Sequence, residues 1–297
     1  MKLKLRKRMQ QITVISGKGG TGKTTFTSAF ASLAENSVFA DCDVDAANLY
    51  LVLSPDNYHE EVFLGAKTAV IDHDKCTDCG ICKEVCRFDA IDWVNGQIEI
   101  SEFACDGCEL CMRVCPFGAI KMEQSKDSQW FIGNTRFGPM VHARLGIAED
   151  LSGKLVTVVR EEAKKIAKKE NRDGILIDGP PGIGCPVIAS VTGTDKVVAV
   201  TEPSQSGLHD LKRIVEMVGN FDLVPFVIIN KYDVNKSMTR EIERYCQKND
   251  IPLIGEIPFD ETMVEAMVAQ KTIIEFAPSS KVSKLLTHIW SLIIQNH

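Results

Sequence analysis

The chain has 297 residues, 44% hydrophobic and 25% charged, with a net charge of −6 and 11 cysteines. That length holds one large domain, or a domain with a small insert, and the acidic balance argues against a broad nucleic-acid surface. The first nine residues carry five basic side chains and no apolar core, so they do not read as a secretory signal, and no apolar run reaches the ~20 residues of a membrane-spanning helix.

Residues 11–16 (QITVIS) are apolar and β-branched and predict a buried strand. The run Gly17-Lys18-Gly19-Gly20-Thr21-Gly22-Lys23-Thr24 follows, and a helix is expected over 24–35. This fits G-x-x-x-x-G-K-[ST] between a strand and a helix, the context that defines a P-loop. Its glycines let backbone N–H groups curl around phosphate oxygens, aided by the helix N-terminus. Lys23 is expected to reach the β and γ phosphates of ATP and Thr24 to bind Mg2+, with Gly17, Gly19, Gly20, Thr21, Gly22 and Thr25 completing the cradle. A second strand at 37–41 ends in the acidic run Asp41-Cys42-Asp43-Val44-Asp45.

From about residue 53 the strand–helix alternation breaks. Two four-cysteine runs follow, Cys76, Cys79, Cys82, Cys86 and Cys105, Cys108, Cys111, Cys115, each C-x2-C-x2-C-x3-C and offset by 29 residues. Val85, Phe88, Ala90 and Ile91 recur at the same offset as Val114, Phe117, Ala119 and Ile120. Two such halves related by a pseudo-twofold are expected, since each alone is too short to bury a core. The spacing closes three thiolates on one iron–sulfur cubane and sends the fourth to the other. Cys76, Cys79, Cys82 and Cys115 are therefore expected to hold one 4Fe–4S cluster, and Cys105, Cys108, Cys111 and Cys86 a second. Zinc ribbons need only paired C-x2-C units, so the doubled run disfavours zinc. Thiolate–metal chemistry without an export signal places the chain in a reducing cytoplasm.

Residues 123–150, containing Arg136, His142 and Arg144, are expected to be an irregular, solvated return linker. Ser152 reads as an N-cap for a helix carrying Leu155, Val159 and Ile166, with a strand over 155–159 as the alternative. Apolar runs at 175–178, 196–200 and 224–229 alternate with helical patterns at 206–219 and 237–248, which implies a mainly parallel sheet with helices on both faces. The apolar face at 281–297 predicts a docked terminal helix rather than a membrane-binding one. Cys42 and Cys246 read as packing residues, and burial is also the first expectation for Cys185.

Lys18, early in the loop, makes the sequence resemble the deviant Walker A ATPases: septum-site and plasmid-partition ATPases, the nitrogenase iron protein and Mrp-type iron–sulfur carriers. The resemblance covers residue 11 to the C-terminus and implies an ATP-sandwich dimer in which Lys18 reaches the partner's nucleotide. It implies that Asp43 positions the attacking water, with Asp41 assisting near Mg2+. Asp178 becomes the Walker B acid and Gly179-Pro180-Pro181-Gly182 the second switch. Asn230 and the Ile257-Pro258 segment would contact adenine. Pro116 follows the last cysteine as in bacterial two-cluster ferredoxins, whereas Arg87 stands at the matching place in the first run. Cys185 lies where the nitrogenase iron protein keeps a bridging-cluster ligand, but no second cysteine lies between Cys115 and Cys185.

The expected architecture is an α/β, mainly parallel-sheet P-loop NTPase of residues 1–66 and 123–297. A small α+β bacterial-ferredoxin-like insertion occupies 67–122. The expected function is a partner-stimulated ATPase, homodimeric or paired with a paralogue, that exchanges electrons with a redox partner. The alternatives are an iron–sulfur carrier passing clusters to an acceptor protein and a redox-sensing positioning switch.

Overall fold

The computed structural model describes residues 9–65, 67–124, 126–146 and 152–295. The basic stretch 1–8 and the last two residues of the expected terminal helix lie outside the described residues. The chain divides into two compact units: Met1–Glu60 with Trp130–Arg144 and Ser152–His297, and Glu61–Gln129 with Leu145–Leu151.

The chain begins with β1 (Gln10–Ser16), α1 (Lys23–Ala31), β2 (Ser37–Asp41), α2 (Leu49–Leu53) and β3 (Asp56–Phe63). The smaller unit then supplies β4 (Lys67–Ile71), α3 (Ile81–Val85), β5 (Ile91–Val94), β6 (Gln97–Ile100), α4 (Leu110–Val114) and β7 (Ile120–Gln124). Next come β8 (Ser128–Thr135), β9 (Gly138–Arg144), α5 (Ser152–Lys169), β10 (Gly174–Pro181), α6 (Cys185–Val191) and β11 (Lys196–Thr201). The chain continues through α7 (Gln205–Gly219), β12 (Phe226–Asn230), α8 (Lys236–Lys248) and β13 (Leu253–Ile257). It closes with α9 (Thr262–Val268), α10 (Ile273–Phe276) and α11 (Lys281–Gln295).

The main sheet runs β13-β12-β11-β1-β10-β2-β9-β8-β3. Strands β13 through β9 of that order pair in parallel. Parallel strands lie between helical layers, so they read as continuous apolar runs; Val14, Ile15, Ile177, Val198 and Ile228 are all buried. One face packs with Phe26, Phe30, Leu286 and Trp290, the other with Val187, Leu211, Ile214 and Ile242. Side chains at the carboxyl ends of β1, β2, β10 and β12 therefore meet along one edge, where ligands bind in open α/β sheets.

Helix α11 buries Val282, Leu286, Ile289, Trp290 and Ile293. Trp290 stacks on Phe30 of α1 with ring centroids 5.3 Å apart, and the buried Lys196 ammonium donates to the carbonyl of Ile293 at 2.7 Å. The apolar face of the terminal helix is thus occupied within the chain. Among the described residues no helix is long and apolar enough to cross a membrane.

The expectations for residues 128–144 are corrected, whereas the helix expected from Ser152 is found. Residues 128–144 are not an irregular linker but the strands β8 and β9, with Met140 and Val141 paired in parallel to Phe39 and Ala40 of β2. His142 is not solvated: it is buried, stacked between Tyr50 and Phe131 at 5.2 and 4.9 Å, with Nε2 3.1 Å from Asn57 Oδ1. Arg136 forms an ion pair with Glu275 and donates to the carbonyls of Val52 and Leu53, whereas Arg144 ends β9 exposed. Residues 155–159 lie in α5, whose first helical residue is Ser152. Leu155, Val156, Val159, Ala163 and Ile166 recur at helical spacing on its buried face, so the 3.6 period wins over β-branching. The first helix is shorter than expected, ending at Ala31.

In the smaller unit the two halves interlock. β4 of the first half pairs antiparallel with β7 of the second, and β5 of the first with β6 of the second. Ala69, Ile91, Ile98 and Ile120 form its core with Cys82 and Cys111. This unit starts earlier and ends later than the expected 67–122.

Candidate functional site

The loop after β1 places Lys23 at the start of α1, buried. Its ammonium lies 3.0 Å from Asp178 Oδ1 and 3.3 Å from Asp43 Oδ2. Burial alone would lower the Lys23 pKa, but Asp178, Asp43 and Asp41 outweigh it and raise the pKa above the usual lysine value. Thr24 donates its hydroxyl to Asp178 Oδ2 at 2.8 Å. Asp178, wholly buried in β10, also accepts from Thr27 at 2.8 Å. Thr27 was not foreseen, although its place four residues after Lys23 puts it one helical turn away.

Asp41 and Asp178 are neighbours in register on adjacent strands. Burial, then repulsion from Asp178, pushes the Asp41 pKa up to about 8. Asp41 accepts from the N–H groups of Asp43 and Leu49, at 3.3 and 3.1 Å, and so ties down the segment after β2. Asp43 is buried, and its Oδ1 has no hydrogen-bond partner among the described residues. Burial raises its pKa, with Lys23 opposing. An orphaned buried carboxylate oxygen beside a buried lysine is an acceptor waiting for a donor, such as water.

Gly17, Gly19 and Gly20 form the turn ahead of α1, and Thr21 is buried. Gly22 adopts φ +94°, and a Cβ there would lie 2.5 Å from Asn230 Nδ2. Asn230 ends β12 and donates to the Thr21 carbonyl at 2.8 Å. Its register partner is Ile257 of β13, so Asn230 and Pro258 sit at adjacent strand ends beside the loop. The Thr25 hydroxyl turns away from the loop to Met267 Sδ, 2.9 Å, leaving only its backbone for an anion. Lys18 contacts Glu202 and Ser206 of its own chain.

The eight clustered cysteines line two hollows. Cys76, Cys79, Cys82 and Cys115 line one, with Ile71, Ile98 and Phe117. Cys105, Cys108, Cys111 and Cys86 line the other, with Ile91, Ile100 and Phe88. Each hollow thus takes three cysteines from one run and the last cysteine of the other. Backbone N–H groups of Asp78, Ala119 and Ala69 point at the sulfurs of Cys76, Cys115 and Cys105, each at 3.4 Å. Among the described residues no three His, Cys, Asp or Glu side chains converge as a single metal ion requires. Of the other cysteines, Cys42 and Cys246 are buried as expected, but Cys185 is exposed. It opens α6 ahead of Pro186, and Val187 and Val191 take that helix's buried face.

A parallel sheet whose first strand feeds a glycine loop, with a buried lysine facing the acids of β2 and β10, defines a P-loop ATP hydrolase. The chain belongs to the CobQ/CobB/MinD/ParA nucleotide binding domain family, whose model matches residues 12–273. It is 35% identical to the uncharacterized protein MJ0578 of Methanocaldococcus jannaschii over 95% of both chains. It is 24% identical to the septum site-determining protein MinD of Bacillus subtilis, over 86% of this chain and 79% of that one. Pyrococcus horikoshii MinD, solved with Mg-ADP, shares the fold with a TM-score of 0.58 at 20% identity, over 97% of this chain and 96% of that one.

Proposed function

We propose that this ATPase carries two 4Fe–4S clusters and couples ATP-driven pairing of two chains to electron exchange with a partner protein. The observation that carries the reading is the crossed lining of the two hollows. Four sulfurs spread around an apolar hollow, rather than converging on a point, suit a group of several atoms better than one zinc ion. The N–H groups aimed at sulfur suit thiolates that carry negative charge. Cys76, Cys79, Cys82 and Cys115 would hold one cluster and Cys105, Cys108, Cys111 and Cys86 the other, in a ferredoxin-like insertion. When bound, such clusters supply reversible one-electron chemistry.

The nucleotide site supplies the switch. Mg-ADP binding by Pyrococcus horikoshii MinD supports Mg-ATP here. The backbone of Gly17, Gly19, Gly20, Thr21, Gly22 and Thr25 would cradle the phosphates, with Lys23 on the terminal ones. Thr24 and Asp178 would exchange their mutual hydrogen bond for Mg2+ and its water. Asp43, with its free Oδ1, would orient the attacking water. Asn230 and Pro258 would face the adenine, Asn230 through its amide. Lys18 would cross to the nucleotide of a second copy, or of a paralogue, so that hydrolysis requires pairing. The cysteine chemistry supports a cytoplasmic setting.

Exposure of Cys79 and Cys108 favours one second reading, donation of clusters to an acceptor. Anaerobic purification with iron and acid-labile sulfide analysis tests both. The proposal expects about eight of each per chain, retained when an apo-acceptor is added. Stoichiometric zinc in place of iron would overturn it, and loss of iron to the acceptor would select the carrier reading.

A further inference from the structure

The two halves of the smaller unit are equivalent in structure as well as in sequence. Their 29-residue offset carries Ala69 onto Ile98 and Trp93 onto Met122, and the strands pair Ala69 with Met122 and Trp93 with Ile98. The same offset carries Asp72 onto Ser101 and Ala90 onto Ala119. The Asp72 N–H donates to the Ala119 carbonyl at 2.7 Å, and its image, the Ser101 N–H, donates to the Ala90 carbonyl at 2.8 Å.

At one sulfur the equivalence is broken. In the second hollow the Ala69 N–H donates to Cys105 Sγ at 3.4 Å. Its image, the Ile98 N–H, donates to Asp78 Oδ1 at 2.8 Å, and that oxygen lies 3.7 Å from Cys76 Sγ, the image of Cys105. The image of Asp78 is Gly107. Both residues take the left-handed backbone, at φ +51° and +66°, but Gly107 has no side chain to intercept a strand N–H. An N–H aimed at sulfur favours the more negative, reduced state of an iron–sulfur cluster, and a carboxylate in its place disfavours it. Both differences at Cys76 therefore act in one direction. The neighbouring charges are weaker influences: Lys83 pairs with Asp92 and Glu109 with Arg113 at the surface, and Arg87 and Asp106 are exposed to water.

We propose that Asp78 is a positioning residue that diverts the Ile98 N–H from Cys76 and so lowers the reduction potential of the 4Fe–4S cluster at the first hollow. This role rests on the two-cluster reading above. A single electron from a reductant, dithionite in the test below, reduces one cluster by one unit and makes or breaks no bond. With Asp78 in place it rests on the second site more often than it would if the two halves were alike.

The test compares the full-length, anaerobically purified protein with Asp78→Gly and Asp78→Asn, both of which tolerate a left-handed backbone. Iron and sulfide are counted first. Midpoints are then read by dithionite titration with electron paramagnetic resonance, the signal missing from Cys115→Ser marking the first site. Asp78→Gly returns the Ile98 N–H to sulfur and removes the charge. At a fixed ambient potential the reduced-to-oxidised ratio of the first site is expected to rise roughly tenfold, ~59 mV, with the second site unmoved. Asp78→Asn keeps an oxygen for the N–H and removes only the charge, so a smaller rise in the same direction is expected. An unchanged first-site midpoint in an iron-replete Asp78→Gly overturns the role of Asp78 and leaves the two-cluster reading standing, as do equal shifts at both sites. If Asp78→Gly fails to hold iron, Asp78→Asn decides: a raised first-site midpoint supports the role and an unchanged one overturns it. Absence of iron from the unaltered protein overturns the two-cluster reading itself.

Discussion

The Thr24 hydroxyl donates to Asp178 Oδ2 at 2.8 Å, joining the first turn of α1 to β10 across 154 residues of sequence. Each group occupies the coordination capacity that the other would offer a hard cation, so on the proposed reading Mg2+ would replace the bond between them. Substituting Thr24→Val keeps the shape and removes the oxygen. The Mg2+ concentration for half-maximal hydrolysis is then expected to rise by at least about 10- to 100-fold, measured by phosphate release across a Mg2+ titration. An unchanged Mg2+ requirement would remove Thr24 from the metal site.

Asp43→Ala separates binding from hydrolysis. Asp43 contacts Lys23 through Oδ2 and leaves Oδ1 unpartnered, and Lys23 keeps Asp178 when Asp43 is lost. ATP affinity should stay within a few-fold, while turnover falls by about 10²- to 10⁴-fold. Equilibrium binding of a fluorescent ATP analogue beside single-turnover hydrolysis reads the two effects apart.

His142 makes the fold sensitive to acid. Burial depresses its pKa to about 4 from the ordinary 6.5, so the folded chain holds the neutral ring. The unfolded chain takes up the proton first as pH falls. The stability from this group is therefore full above pH ~6.5 and is lost between ~6.5 and ~4, on the order of 3 kcal/mol in all. Denaturant unfolding of the unaltered protein and His142→Phe at several pH values should show a gap that narrows across this window. A pH-independent gap would mean that the ring titrates normally.

The crossed lining of the hollows separates the two cysteine sites. Cys115→Ser should disturb the hollow of Cys76, Cys79 and Cys82 and spare the other. Gly107→Ala should do the reverse, since Gly107 sits at φ +66° and a Cβ there would lie 2.2 Å from the Lys67 carbonyl oxygen. Electron paramagnetic resonance of the reduced proteins should then show a different signal missing from each variant. Loss of the same signal from both would contradict the crossing.

Legibility in the sequence followed the range of the interactions. The phosphate loop was readable because its chemistry is local: Gly22 must take a left-handed conformation, and Lys23 follows it directly. The parallel strands were readable because β1, β10, β11 and β12 are apolar at their centres, as at Val14 and Ile15, Ile175 to Ile177, Val197 to Val200 and Val227 to Ile229. The two halves of the smaller unit could be anticipated from their 29-residue offset. The strands β8 and β9 were hidden, because Gly133 inside β8, and Arg136 and Gly138 where the two strands meet, interrupt the apolar pattern. His142 misled for the same reason: only the fold brings Tyr50 and Phe131 to its two faces. Nothing local to Lys18 could reveal Ser206, 188 residues away. Exposure of Cys185 followed from which face of α6 packs, and its seven residues are too few for a periodicity to show that.

The central claim is that the nucleotide site and the cysteine hollows work as one device. Its most direct test is an anaerobic redox titration of the purified protein, followed by electron paramagnetic resonance, with Mg-ADP and with a non-hydrolysable ATP analogue. The account predicts two cluster signals, at least one with a midpoint that differs between the two nucleotides. Titration curves that superimpose in the two nucleotide states would contradict the coupling.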